Sequence, residues 1–134
     1  MSDHSFELQK TIFTTLNSDN TITSTFSATV HDHVPQGTAY PYIVIGEETM
    51  TDDSSTKTLD FNNFTLTIHI FSRNRGRKEA KQIMARIYEL LHNQNLSVTG
   101  ADHINTRFEF SDVIKENDRL TYHGVQRFRT ILHD

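Results

Sequence analysis

Cysteine is absent from the 134-residue chain, which excludes a disulfide framework, thiolate metal sites and thiol catalysis. The same absence leaves the compartment open, because a chain without thiols tolerates either redox state. Glycine is sparse, with 5 in all, and Gly76 stands alone before its helix where a phosphate-cradling loop needs several glycines close together. No Gly-x-Ser-x-Gly elbow is present, so a nucleophilic serine on a sharp turn is not indicated. No apolar run approaches the ~20 residues of a membrane-spanning helix, and Met1-Ser2-Asp3-His4 lacks the basic-then-apolar order of a secretory signal. A cytosolic product with no membrane partner is therefore expected. An excess of positive charge is missing as well. The formal net charge is -4, so attraction to nucleic acid requires a local basic patch.

The residues that are present describe one domain, residues 1–134, of α+β class: a mostly antiparallel sheet with two helices packed on it. Phe6, Leu8, Ile12, Phe13 and Leu16 recur at three and four, which predicts a short helix over 5–16. A polar Ser/Thr/Asn stretch through Ala28 reads as loop, Thr29-Val30-His31 as a short strand, and Pro35-Gln36-Gly37 as a turn. Pro41 heads a β-branched run, Tyr42 to Ile45, that ends at Gly46. From Phe61 to Ser72 the pattern alternates, with Phe64, Leu66, Ile68 and Ile70 on one side and Thr65, Thr67, His69 and Phe71 on the other. Between these strands, residues 47–60 read as a projecting acidic loop carrying Glu47, Glu48, Asp52, Asp53 and Asp60. Ala80, Ile83, Met84, Ile87, Leu90 and Leu91 predict the second helix, closed by His92 and Asn93. Arg107–Phe110 and Val125–Arg129 are predicted strands joined through a turn near Asn117-Asp118. Alternation directs Phe108, Phe110 and Phe128 inward and places Glu109 opposite or diagonal to an arginine as an ion pair.

Two constellations bear on function. Arg73, Arg75, Arg77, Lys78 and Lys81 crowd the amino end of the second helix, where the dipole is already positive and each cation costs a few tenths of a kcal/mol. A solvated charged face is the plain explanation, and an anionic partner is the functional one. Glu48, Asp52 and Asp53 on one copy facing Arg73, Arg75, Arg77 and Lys78 on the next would give a head-to-tail contact able to close a ring. His31-Asp32-His33 places two imidazoles on one side of an extended segment, which keeps open a small binding module or metal-dependent enzyme. The other histidines lack ligand spacing, and Asp52 and Asp53 sit in a polar stretch that keeps both ionised.

Three stretches, taken in order, resemble the tail-completion proteins of long-tailed bacteriophages and gene transfer agents. They are Val34-Pro35-Gln36-Gly37 with Pro41 to Glu47; Phe71-Ser72-Arg73 with Gly76 and Glu79-Ala80; and Thr121 to Arg129. The resemblance spans almost the whole chain. It implies a tail terminator, or head-tail joining protein, of the virion, assembled in the host cytoplasm. Six copies would form a homohexamer ring on the head-proximal end of the tail tube protein and present a surface to the head-tail connector or adaptor protein. It also implies no enzymatic activity and no cofactor, with Arg73, Arg75 and Arg77 as candidates to face DNA in the ring lumen. Phe71 stands where relatives often carry Trp, and Asn117-Asp118 replaces an Asp-Gly turn; both keep the physical role.

Overall fold

A computed structural model describes residues 4–52 and 61–133. Helix α1 is Ser5–Asn17 and helix α2 is Lys78–Leu91; the strands are β1 Thr29–His31, β2 Tyr42–Asp52, β3 Phe61–Ser72, β4 Asp102–Lys115 and β5 Tyr122–His133. The five strands form one sheet in the order β1-β2-β3-β5-β4. Only β1 on β2 is parallel; the other pairs are antiparallel. This is the expected α+β architecture. No described helix is long and apolar enough to cross a membrane.

Strand β3 organises the molecule, since it pairs with β2 on one side and with β5 along its whole length on the other. Its alternation makes Phe64, Leu66, Ile68 and Ile70 fully buried and leaves Thr65, His69 and Phe71 only partly so. Both helices cover the first face. Leu8, Ile12 and Leu16 of α1, and Ala80, Ile83, Ile87 and Leu91 of α2, join Ile43, Phe128 and Leu132 in one core. Among the described residues the second face carries no helix.

Four local expectations are corrected. The polar stretch after α1 contains a π-helical turn, Thr21–Thr25. Ile22 anchors it in the core, and Asp19 accepts the Ile22 N–H at 3.1 Å. Strand β2 does not end at Gly46. A bulge between Ile45 and Glu48 restarts the pairing, and Glu48 to Asp52 lie opposite Leu66 to Asn62. Of the acidic loop, residues 47–52 are therefore strand, while 53–60, including Asp53 and Asp60, lie outside the described residues. In β4 a second bulge between Phe108 and Phe110 absorbs Glu109, so Phe108 faces Phe128 but Phe110 faces Arg127. One extra residue reverses the alternation, and Phe110 is left 44 % exposed with the Arg127 guanidinium 5.3 Å from its ring centre. Arg107 stands across from Arg129, and the bulged Glu109, which would otherwise face Arg127, joins none of the ion pairs found among the described residues.

Candidate functional site

The cations before α2 do not form one uniform cluster. Arg73 is built into the fold: its guanidinium lies 4.3 Å from the Tyr40 ring centre, its Nε donates to Thr121 Oγ1 at 3.1 Å, and its Nη2 reaches Asp118 at 3.5 Å. Asp118 holds the β4–β5 turn by accepting the N–H groups of Leu120 and Thr121 at 2.8 and 2.9 Å and the Thr121 hydroxyl at 2.7 Å. Its carboxyl is lowered to about 2, first by the Leu120 N–H, then by Thr121, with Arg73 contributing less. Arg77 leans 5.4 Å from the Tyr122 ring centre. Arg75 and Lys78 are exposed beside Glu79. The first-turn charge is offset by Glu79, which accepts from Ser72 Oγ at 2.6 Å and Asn74 Nδ2 at 3.4 Å.

The acids lie far from these cations. Asp52 pairs with Asn62 at one end of β3, whereas Arg73 follows Ser72 at the other. Ten residues of strand at ~3.3 Å each separate them by about 33 Å. One copy thus carries Asp52 toward one end of the sheet and Arg73, Arg75, Arg77 and Lys78 at the other, with Glu48 at mid-strand opposite Leu66. Beside α2 a groove of about 600 Å³ is lined by Lys81, Met84, Ala85, Tyr88, Phe108 and Val113.

His31 and His33 do not assemble a metal centre. The His31 ring bonds Thr29 Oγ1 at 2.8 Å, His33 is exposed beyond the strand, and no three His, Asp or Glu side chains converge on a common point among the described residues.

Sequence reasoning missed a different pair of histidines. On the open face, register brings Tyr42, Phe71 and His123 into one row across β2, β3 and β5. Their rings stack, with centroids 5.1 Å apart for Tyr42 and Phe71 and 4.4 Å apart for Phe71 and His123. His69, diagonal to His123, places Nδ1 2.7 Å from His123 Nε2. The outer nitrogens both meet carboxylates: His69 Nε2 lies 2.9 Å from Glu47 Oε1, and His123 Nδ1 lies 3.0 Å from Glu116 Oε1. Gly46 makes this possible, because a Cβ there would lie 2.6 Å from Cδ2 of His69. The hydrogen bond from His69 is the main reason the Glu47 carboxyl is lowered. Burial first, and the neighbouring His69 second, lower His123 against the opposing pull of Glu116. The single sequence signal was the outward phase of His69 on an alternating strand; His123, some fifty residues on, joins it only through strand pairing.

What the described residues offer is surface rather than a reaction centre: charged ends, an apolar groove and an aromatic face on a rigid sheet. The chain belongs to the tail completion protein family, whose model, described as "Tail completion protein gp17", matches residues 10–133. The tail completion protein gp17 of Bacillus phage SPP1 is 30 % identical over 95 residues, covering 71 % of this chain and 69 % of that protein. In fold, the chain is similar to a subunit from the virion of a native gene transfer agent particle, with a TM-score of 0.88 at 19 % identity and 100 % of both chains covered.

Proposed function

We propose that the protein is a tail terminator: copies close a ring on the head-proximal end of the tail tube, end its growth and present a surface to the head connector. The observation that carries this reading is the opposite charge at the two ends of one rigid sheet. Oppositely charged surfaces on a single body permit a heterologous contact, which closes into a ring when the rotation between neighbours allows. In this reading Glu48, Asp52 and, from the segment beyond it, Asp53 meet Arg75, Arg77 and Lys78 of a neighbouring copy or virion partner. Arg73, held by Tyr40, Thr121 and Asp118, shapes that end. The test is the double variant Arg75→Glu/Arg77→Glu. Light scattering at low salt is expected to show a mass near six subunits for the parent chain and a marked shift to single copies for the variant. Unchanged mass would remove the charge pairing, and a parent chain that stays single under all conditions would remove the ring.

A place in the lumen for Arg73, Arg75 and Arg77 adds a second measurable consequence. Non-specific duplex binding should weaken linearly in log–log form as salt rises, and Arg75→Glu/Arg77→Glu should flatten that slope. Binding indifferent to salt, or no binding, rejects the lumen assignment.

A further inference from the structure

We propose that Glu47, His69, His123 and Glu116 form a clasp closed by one proton shared between the two imidazoles, and that the two rings part when a second proton arrives. Two imidazoles have four ring nitrogens. The outer two, His69 Nε2 and His123 Nδ1, each face a carboxylate oxygen at 2.9 and 3.0 Å. A carboxylate only accepts, so each outer nitrogen carries a hydrogen. The inner two, His69 Nδ1 and His123 Nε2, are 2.7 Å apart. With no hydrogen between them two lone pairs oppose each other, and with two hydrogens two N–H groups collide. The geometry is satisfied by one. Three hydrogens on four nitrogens make one imidazolium and one neutral imidazole sharing a proton, flanked by two carboxylates.

The surroundings support a short charge-assisted bond here. The rings meet edge to edge, with centroids 4.9 Å apart, so their lone pairs aim at each other rather than converging on a third atom. Phe71 stacks on His123 and fixes that ring, and Gly46 gives His69 the space to lie across β2. The other charged groups on these strands are engaged elsewhere or further off. Arg73 is turned to Tyr40 and Asp118, and Arg127 lies over Phe110. Lys115 lies 5.6 Å from the Tyr122 ring centre. Asp112 shares the row of His69 but sits across Val125 from it, and Ile114 faces His123. Tyr42 stays a neutral phenol, since burial raises its hydroxyl above its ordinary value.

Acidification adds a proton to the last free lone pair, which is an inner one. Each ring keeps its own carboxylate, His69 with Glu47 and His123 with Glu116, while the contact between the rings is lost. The backbone pairing of β3 with β5 persists, so the change is confined to the contact between the rings on the open face.

The test uses the full chain labelled with nitrogen-15 at histidine. At neutral pH, NMR is expected to show one strongly deshielded hydrogen coupled to nitrogens of both His69 and His123, together with an N–H on each outer nitrogen. On acidification that shared signal disappears, while the N–H on each outer nitrogen remains. Gly46→Ala, which keeps both histidines but pushes the His69 ring from its seat, should erase the shared signal. His69→Gln, which removes one of the two rings, should abolish the shared signal as well. The clasp is overturned if the parent chain shows two independent neutral rings at neutral pH, if both rings titrate together in one step, or if the shared signal survives in Gly46→Ala.

Discussion

Asp118 shows how much a single side chain can organise. Three donors from Leu120 and Thr121 converge on its carboxylate, and the turn closes further where the Glu116 N–H donates to the Thr121 carbonyl at 2.8 Å. A carboxyl lowered from 3.8 to about 2 contributes its stabilisation in full above the ordinary value and loses it as pH falls through the folded one. Carbon-detected NMR titration should accordingly place the Asp118 midpoint near 2, and Asp118→Asn should raise amide exchange in the turn while leaving the sheet protected. A midpoint at the ordinary carboxylate value would refute this. Asp19 is the other acid of this kind. Arg86 donates to it twice, Nε at 3.0 Å and Nη2 at 2.6 Å, and that pairing lowers its carboxyl. It ties α2 to the turn after α1. Asp19→Ala leaves the guanidinium without its partner and is expected to cost about 2 kcal/mol in urea unfolding, the usual size for hydrogen bonds to charged groups. The part of stability owed to Asp19 is present above the ordinary carboxyl value and declines on acidification through its lowered folded value.

At the scale of elements, the close approach of α2 to the sheet depends on Gly124. A Cβ there would lie 2.7 Å from the Met84 sulfur and 3.4 Å from the Ile70 Cβ. Gly124→Ala must displace Met84, and overpacking of this kind costs ~1–3 kcal/mol. Gly124→Ala combined with Met84→Ala should cost less than the two separate losses added together, because the second change removes the atom the first one strikes. Additive losses in the four-chain cycle would show that α2 does not rest on this glycine. The far end of α2 is stitched to β4, where the His92 imidazole accepts the Phe108 N–H at 2.9 Å and the Asn93 N–H donates to the Thr106 carbonyl at 2.8 Å.

Elements set by a strong local period were legible in advance: β3 from its alternation, α2 from its three-and-four spacing, and the Asn117-Asp118 turn from its residue types. The inward or outward assignment of Phe110 was not, because a bulge depends on how two strands settle against each other and leaves no mark in the period of either one. Nor was the continuation of β2 past Gly46, where Glu47-Glu48 reads as polar loop until β3 supplies partners. The histidine chain was the least legible feature. His69 and His123 gain meaning only from a register between strands distant in sequence, whereas the neighbouring His31 and His33 drew notice through spacing alone.

The whole molecule is a one-sided sandwich, with helices on one face and stacked rings, histidines and arginines on the other. The exposed cations Arg75, Arg77 and Lys78 follow one end of β3, and Asp52 lies at its other end. Assembly held by such ends is screened by salt, since exposed charges lose most of their attraction beyond ~10 Å at 0.1 M ionic strength. The proportion of assembled chain is therefore expected to fall as sodium chloride rises from low to physiological concentration. Analytical ultracentrifugation that finds the same distribution throughout would assign the contact to apolar surface instead.

Strand β4 ends the sheet, and its outer margin is covered where Asn93 and His92 bond the Thr106 carbonyl and the Phe108 N–H, the rest of its 14 residues lying on the border. Two bulges bend this margin, and Arg107, Glu109, Asp112 and Lys115 stud it with charge. Flat unguarded borders recruit foreign strands into aggregates; kinked and charged ones resist that fate. A subunit synthesised before its proper companions are in place benefits from such a margin, which discourages casual strand addition while the helices, the sheet ends and the open face stay available for the intended encounter.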